Sequence, residues 1–311
     1  RSWVQRAFRP VVQRFLFRTF GEAGSKAIAG RDDWLFYRPD VRFLVEGNRT
    51  DRSDADSRWV VPGESVTQRE SVRRAIRRFR DQLARRGIEL LVVPVPGKPS
   101  VYPDQLTTRA GEGGDPMPSS ARELLVELEA DGVATVDLFS VFRRARAQAP
   151  AATLYLARDT HWTPRAARLA AEAVADQLRE LGWAPLPEAA FGLGTVDVDR
   201  WGDIFEMMQL PGLRAAVGPE RVACEQVLDP ALGLLVPGVS ERPGVYRYPI
   251  HPSPVLLLGD SFCRIYQYAE PQSLGSVVGK RTRRCPGAPD GNRPSGCCPA
   301  RPVSFRTWRV P

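Results

Sequence analysis

Residues 88–95 read IELLVVPV, apolar almost without interruption over the length of one β-strand. A strand hydrophobic on both faces belongs inside a sheet that helices cover from either side. The flanking sequence supplies such helices. Upstream, Ser65 and Gln68 form a capping-box pattern, and Val72, Ile76, Phe79 and Leu83 recur on one helical face until Gly87 stops the helix. Six arginines on its other faces (Arg69, Arg73, Arg74, Arg77, Arg78, Arg80) read as a solvated surface. Downstream the order repeats, with a helix over 119–131, a strand over 133–137 and a helix over 138–148. A further helix is predicted over 164–181 and another apolar strand over 255–258 (VLLL). This alternation predicts an α/β layered domain with a mostly parallel sheet. Residues 30–40 (GRDDWLFYRPD) read as a short strand, because Trp34, Leu35, Phe36 and Tyr37 suit a pleated, half-buried surface. Residues 47–63 read as a loop, and 184–254 as insertions and loops around the sheet.

Composition narrows the functional classes. With 311 residues, 43% of them hydrophobic, the chain can bury a core, which excludes wholesale disorder. No apolar run approaches the roughly 20 residues that a membrane-spanning helix needs. The net charge of +8 belongs to the ends: residues 276–311 carry +7 and residues 1–31 carry +6, so the body between them is acidic. A body without a basic face does not track phosphates, and no nucleic-acid partner is expected. Of five cysteines, three (Cys285, Cys297, Cys298) fall in the last 36 residues, which leaves too few for a disulfide framework and no cluster that suggests zinc.

The chain divides into an N-terminal helical segment over 1–29, a main domain over 30–275 and an irregular basic tail over 276–311. Residues 3–20 (WVQRAFRPVVQRFLFRTF) suit either a helix lying on a membrane surface or one packing on the body, with Pro10 interrupting both. The tail, rich in proline, arginine and cysteine and without apolar periodicity, reads as a frameshifted or mis-called end.

Two short blocks carry chemistry. The predicted strand over 255–258 runs into Gly259, Asp260, Ser261 and Phe262, which places Ser261 at the carboxyl edge of the sheet. At the start of a helix its hydroxyl would lie beside free backbone N–H groups, as a nucleophile with a ready oxyanion donor requires; a helix-capping serine looks the same. The base must come from two histidines, His161 and His251. Asp159 and His161 are two apart in an extended segment and point to the same side, so the carboxylate can fix the imidazole tautomer. Thr163 and Pro164 then open a helix whose buried face is Ala167, Ala170, Val174, Leu178 and Leu181. His251 lies in a proline-broken turn with no acid within four residues, and no role is assigned to it.

DTHW (159–162) followed by GDSF (259–262) resembles the AlgX/AlgJ family of alginate O-acetyltransferase-like SGNH hydrolases. GRDDWLFY (30–37), VVPVPGKPSVYPDQL (92–106) and GDIFEMMQLP (202–211) are similar to the same family, and the likeness spans roughly 25–275. It implies a three-layer sandwich in permuted order, with the Asp/His block before the Ser block, and a body truncated where the family pattern stops near Leu274. Asp33 stands where the family usually has Gly. By resemblance Ser261 is the nucleophile, His161 the base, Asp159 its orienter, and Tyr266 a residue lining the substrate pocket; no cofactor and no metal enter. The family acts in the bacterial periplasm on exopolysaccharide hydroxyls, with a membrane-bound O-acyltransferase as acetyl source, and any inner-membrane anchor would lie upstream of residue 1. Two other readings stand beside the transferase. One is a carbohydrate acetylesterase with the same triad. The other is a non-catalytic polysaccharide-binding subunit whose exposed aromatics (Trp34, Tyr37, Trp162, Trp201) stack on sugars.

Overall fold

The computed structural model describes residues 11–12, 15–17, 19, 21–46, 68–110, 119–183, 192–208, 217–229, 233–234, 255–263 and 265–266. It divides into two units, one comprising Arg1–Ala189, Asp199–Val222 and Val310–Pro311, the other Ala190–Val198 and Ala223–Arg309.

The first unit opens on an antiparallel hairpin, β1 (Ala27–Ala29) with β2 (Leu35–Tyr37). The expected strand over 30–40 is therefore a tight turn, a three-residue strand and the start of a helix, α1 (Arg38–Glu46). Asp32 and Asp33 sit at φ 50° and 62°, and the Trp34 N–H donates to the Arg31 carbonyl at 2.9 Å, a type I′ turn. The turn forms because aspartate tolerates the left-handed region better than other residues that carry a Cβ.

The amphipathic helix is α2 (Gln68–Ala84), closed by Gly87 at φ 68°. Ser65 lies outside the described residues. Two features depart from the sequence reading. Val72 and Phe79 on the apolar face remain 41% and 40% exposed. The arginines are only partly a solvated surface: Arg69 pairs with Glu123 and Glu127, and Arg73 grips Asp131 through two nitrogens at 2.6 and 2.8 Å. These acids lie on or just beyond a helix that the sequence predicts, α5 (Ser119–Ala130), so charge as well as packing joins the two helices.

The run over 88–95 contributes a shorter strand than expected, β3 (Leu91–Val92), paired in parallel with β4 (Ala134–Thr135). Pro94 and Pro96 lack the N–H that would extend the ladder. The mostly parallel sheet is represented among the described residues by this one parallel pair. Two short helices follow β3, α3 (Lys98–Val101) and α4 (Pro103–Leu106). The remaining predicted helices form over nearly the predicted spans, but the buried face of the later one is Ala166, Ala170, Ala175 and Leu178, with Ala167, Val174 and Leu181 half-buried. In α6 (Leu138–Gln148) the Asp137 carboxylate accepts from the Ser140 N–H, and in α7 (Pro164–Glu180) the Thr163 hydroxyl accepts from the Ala166 N–H.

Residues 184–254 are more structured than expected. They hold β5 (Gly192–Arg200), α8 (Asp203–Met208), β6 (Glu220–Asp229) and β7 (Gly233–Leu234), the strands forming one sheet in the order β5-β6-β7. Ile204, Phe205 and Met208 of α8 pack with Ala23, Ala27 and Leu35 into a buried cluster. Near the N-terminus, residues 11–12 and 15–17 are helical; Phe17 packs against this cluster, while Val11, Val12 and Phe15 are exposed. Among the described residues no helix is long and apolar enough to cross a membrane.

In the second unit the predicted strand over 255–258 has no regular structure, and Leu256 and Leu258 are 59% and 48% exposed. Four apolar residues are too short a signal to specify a ladder without a partner strand. The helix expected at Ser261 is a single 3₁₀ turn, Ser261–Cys263. Residues 267–311, and with them the tail, lie outside the described residues, as does His251.

Candidate active site

The segment from Ala157 to Trp162 is a buried connection, so its backbone groups need protein partners in place of water. Side chains from three distant elements supply them. Glu220, at the start of β6, accepts from the N–H groups of Ala157 and Arg158, one to each carboxylate oxygen, both at 2.8 Å. Asp203, at the start of α8, accepts from the Thr160 N–H at 2.8 Å and from the Thr160 hydroxyl at 2.5 Å. Lys98, at the start of α3, donates to the carbonyls of Leu35 (2.6 Å), Ala157 (2.7 Å) and Asp159 (3.1 Å). Gly202 lets α8 approach this closely: it sits at φ 72°, and a Cβ there would fall 2.3 Å from the Arg158 carbonyl oxygen.

The loop presents the pair that the sequence predicts. Asp159 is 1% exposed and His161 9% exposed. One Asp159 oxygen meets His161 Nδ1 at 2.6 Å and accepts from the His161 backbone N–H at 3.0 Å. Its other oxygen accepts from the Asp203 N–H at 3.2 Å, with Arg200 at 3.7 Å. Burial alone would raise the Asp159 carboxyl, but the His161 hydrogen bonds and charge, with Arg200, hold it down at about 2. An ionised carboxylate can only accept, so Nδ1 carries the proton and Nε2 is the nitrogen that can take one.

Asp203 is a second carboxylate beside the imidazole, 3.6 Å from Nδ1. Burial and the Asp159 charge raise its carboxyl above the ordinary range. Asp40, on α1, is pushed up to about 6 by burial and by Asp203, against the pull of Lys98. Lys98 is fully enclosed, its Nζ lying 5.0 and 5.1 Å from the ring centroids of Trp34 and Phe36. Burial lowers its ammonium to about 7, opposed by Glu220, Asp159, Asp203 and Asp40. Sequence reasoning gave no role to Lys98, Asp203, Arg200 or Glu220. The first two stand in the segments GKP (97–99) and GDIF (202–205), already noted for their family likeness; Arg200 and Glu220 carry no local signal.

Asp159, His161 and Asp203 form a group whose ligand atoms lie close enough to share a cation. Their hydrogen bonds already join them to one another, an arrangement that orients an imidazole.

Ser261 lies in the second unit, exposed, in the 3₁₀ turn. Asp260, not Ser261, caps that turn, accepting from the Phe262 N–H at 2.9 Å, so the serine hydroxyl is not consumed as the cap. A Cβ at Gly259 would fall 2.3 Å from Cys263 Sγ, so a larger residue there obliges the thiol to shift. Tyr266 is half-buried in the turn that follows. Of the aromatics expected on the surface, Trp34 and Trp162 are buried at 8% and 6% exposure and Tyr37 is half-buried, while Trp201 is 38% exposed. Trp34 packs on Tyr102 and Trp162 on Phe142, so these two tryptophans belong to the core.

A buried aspartate that meets the Nδ1 of a histidine ahead of a capped helix fixes the tautomer and orientation of the imidazole. The family model for the SGNH hydrolase-like domain, acetyltransferase AlgX, matches residues 27–281, and the chain belongs to that family. It is 25% identical over 161 residues to the probable alginate O-acetylase AlgJ of Pseudomonas syringae pv. tomato, covering 50% of this chain and 34% of the relative. It is 28% identical over 167 residues to the alginate biosynthesis protein AlgX of Pseudomonas aeruginosa, covering 53% of this chain and 30% of that one. The matched part therefore spans about a third of the length of these relatives. Among solved structures, the O-acetyltransferase domain of Pseudomonas putida AlgJ aligns with a TM-score of 0.48 and 21% identity over 65% of this chain and 66% of that one.

Proposed function

We propose that this chain is an O-acetyltransferase that moves acetyl groups onto hydroxyls of an exopolysaccharide of the alginate type. The observation that carries the reading is the buried Asp159–His161 pair, joined at 2.6 Å, in a chain of the AlgX family. Relatives named as alginate O-acetylases support the choice of acetyl transfer and of polymer.

In this reading His161 Nε2 takes the proton of Ser261 as the serine oxygen attacks the acetyl carbonyl. The carbonyl π electrons move to oxygen, where the Ser261 N–H is the proposed donor. Collapse expels the donor's alkoxide, which takes the proton from His161, and leaves acetyl-Ser261. A sugar hydroxyl then gives its proton to His161, attacks the acetyl-enzyme and restores the serine. Asp159 stays ionised throughout and stabilises the imidazolium. Tyr266 lines the acceptor pocket. The domain keeps the permuted three-layer SGNH arrangement, works in the periplasm, and receives acetyl groups through a membrane-bound O-acyltransferase.

The test incubates the protein with an acetyl-ester donor, with and without acceptor oligosaccharide, and weighs protein and sugar by mass spectrometry. Acetyl-Ser261 together with acetylated sugar is the expected result. Free acetate without sugar acetylation makes the protein an acetylesterase, and neither product makes it a binding subunit. A Ser261→Ala protein of full activity overturns the triad.

A further inference from the structure

We propose that Lys98 is a positioning residue for the His161 base, its buried side chain holding the loop so that Asp159 meets Nδ1. The proposal rests on the acid–base role given to His161 above, but its geometry stands apart from any reaction. Lys98 donates to three backbone carbonyls, those of Leu35, Ala157 and Asp159, at 2.6, 2.7 and 3.1 Å. An ammonium has three N–H donors, one for each of these acceptors. The Leu35 N–H donates to the same Ala157 carbonyl at 2.8 Å, so the lysine and the hairpin grip one point of the loop together. A second grip falls on Asp159 itself, the residue whose carboxylate meets the imidazole.

An ammonium 1% exposed is an expensive way to hold a loop, because its charge is taken out of water. A hydrophobic residue of similar volume would fill the space without that cost, yet could not hold the carbonyls of Ala157 and Asp159 in place. Glu220, Asp159, Asp203 and Asp40 favour the ammonium form against the burial that disfavours it, and the faces of Trp34 and Phe36 lie about its Nζ. Asp159, Asp203 and the Thr160 hydroxyl face His161, while Lys98 meets the loop at the carbonyls of Ala157 and Asp159. Lys98 therefore acts on the base through the backbone of residues 157–159.

The test is the low-field proton resonance of His161 Nδ1–H in the full chain labelled with ¹⁵N-histidine, assigned with a His251→Gln variant. It needs no substrate, so it is read whether or not acetyl transfer is the reaction. Lys98→Met is expected to remain folded by circular dichroism and to lose this resonance, with kcat in the acetyl-transfer assay down at least tenfold and KM within twofold. Lys98→Gln keeps two donors and decides the matter if the methionine variant does not fold; its resonance is expected to persist with solvent exchange at least tenfold faster. Leu128→Ala, a fully buried site on α5, is expected to lower the urea midpoint and leave the resonance unchanged. A folded Lys98→Met, or a Lys98→Gln, whose resonance and exchange match the wild type overturns the proposal. So does loss of the resonance in Leu128→Ala, which would make it a report on stability alone.

Discussion

Asp159→Asn isolates what the ionised carboxylate contributes. In the wild type one oxygen accepts twice from His161, at 2.6 Å from Nδ1 and 3.0 Å from the backbone N–H, and the other accepts from the Asp203 N–H at 3.2 Å. An amide can satisfy only one side. If its oxygen keeps His161, its NH₂ faces the Asp203 N–H and the Arg200 guanidinium; if it flips, the NH₂ faces both His161 donors. The carboxyl is lowered from 3.8 to about 2, and at 1.36 kcal/mol per pH unit the lost ionic stabilisation is about 2 kcal/mol. A buried donor left facing a donor adds about 1 kcal/mol or more. Asp159→Asn should therefore cost about 3 kcal/mol at pH 7.

The sign of the pH dependence follows from the same shift. Between about pH 4 and pH 2 the folded chain binds fewer protons at Asp159 than the unfolded chain does. The stabilisation is complete above about pH 5 and is lost as the pH falls toward 2. Urea unfolding followed by tryptophan fluorescence at pH 7, 5, 4 and 3 reads this directly, since Trp34 and Trp162 are buried in the same unit as Asp159. The gap between wild type and variant should hold from pH 7 to 5 and narrow at pH 4 and 3. A gap below 1 kcal/mol at pH 7, or one that stays constant to pH 3, would refute the account. In the acetyl-transfer assay the variant should lose about 10³–10⁴ in kcat, as expected when a base loses its oriented tautomer.

Three other substitutions probe the support of the site. Gly202→Ala places a Cβ 2.3 Å from the Arg158 carbonyl at a φ of 72°, so the variant should lose at least about 2 kcal/mol in urea unfolding and most of its activity. Asp33→Gly should leave the urea midpoint unchanged or higher, whereas Asp33→Val, β-branched at φ 62°, should lower stability by about 1–2 kcal/mol; equal midpoints for the two would show that the turn imposes no strain. Asp40 is raised to about 6, so its protonated form stabilises the fold below pH 4 and that stabilisation is lost as pH rises through 6. Asp40→Asn should then gain on the wild type by on the order of 1 kcal/mol at pH 7 and show no gain at pH 4, a figure discounted for the solvent that reaches this carboxyl. Identical pH dependence of the urea midpoints in the two proteins would count against it.

The aromatic cluster bears on how the site is built as well as how it is tested. Trp34 and Trp162 invite a sugar-stacking reading from sequence because nothing local says where they point. In the structure Trp34 packs on Tyr102 with centroids 4.6 Å apart, and Trp162 meets Phe142 edge-on at 6.4 Å. Both side chains are buried in the core and do not present a surface on which a sugar could stack.

Short-range signals were enough to place much of the molecule. The helix predicted over 164–181 follows from apolar spacing and from its Thr163 cap, whereas Asp137, read as the end of a strand, caps the helix over 138–148. The side-by-side placement of Asp159 and His161 needs only an extended backbone, and the order of DTHW before GDSF needs only reading. What the tertiary structure decided is everything whose partner is far along the chain. Lys98 meets a carbonyl 61 residues on, Asp203 meets a loop 43 residues back, and Glu220 closes over a backbone 63 residues before it. The exposure of the apolar face of α2 and the irregular backbone at 255–258 belong to the same class. A helix face or a strand is completed by what packs or pairs against it, and periodicity within one segment carries no information about that partner.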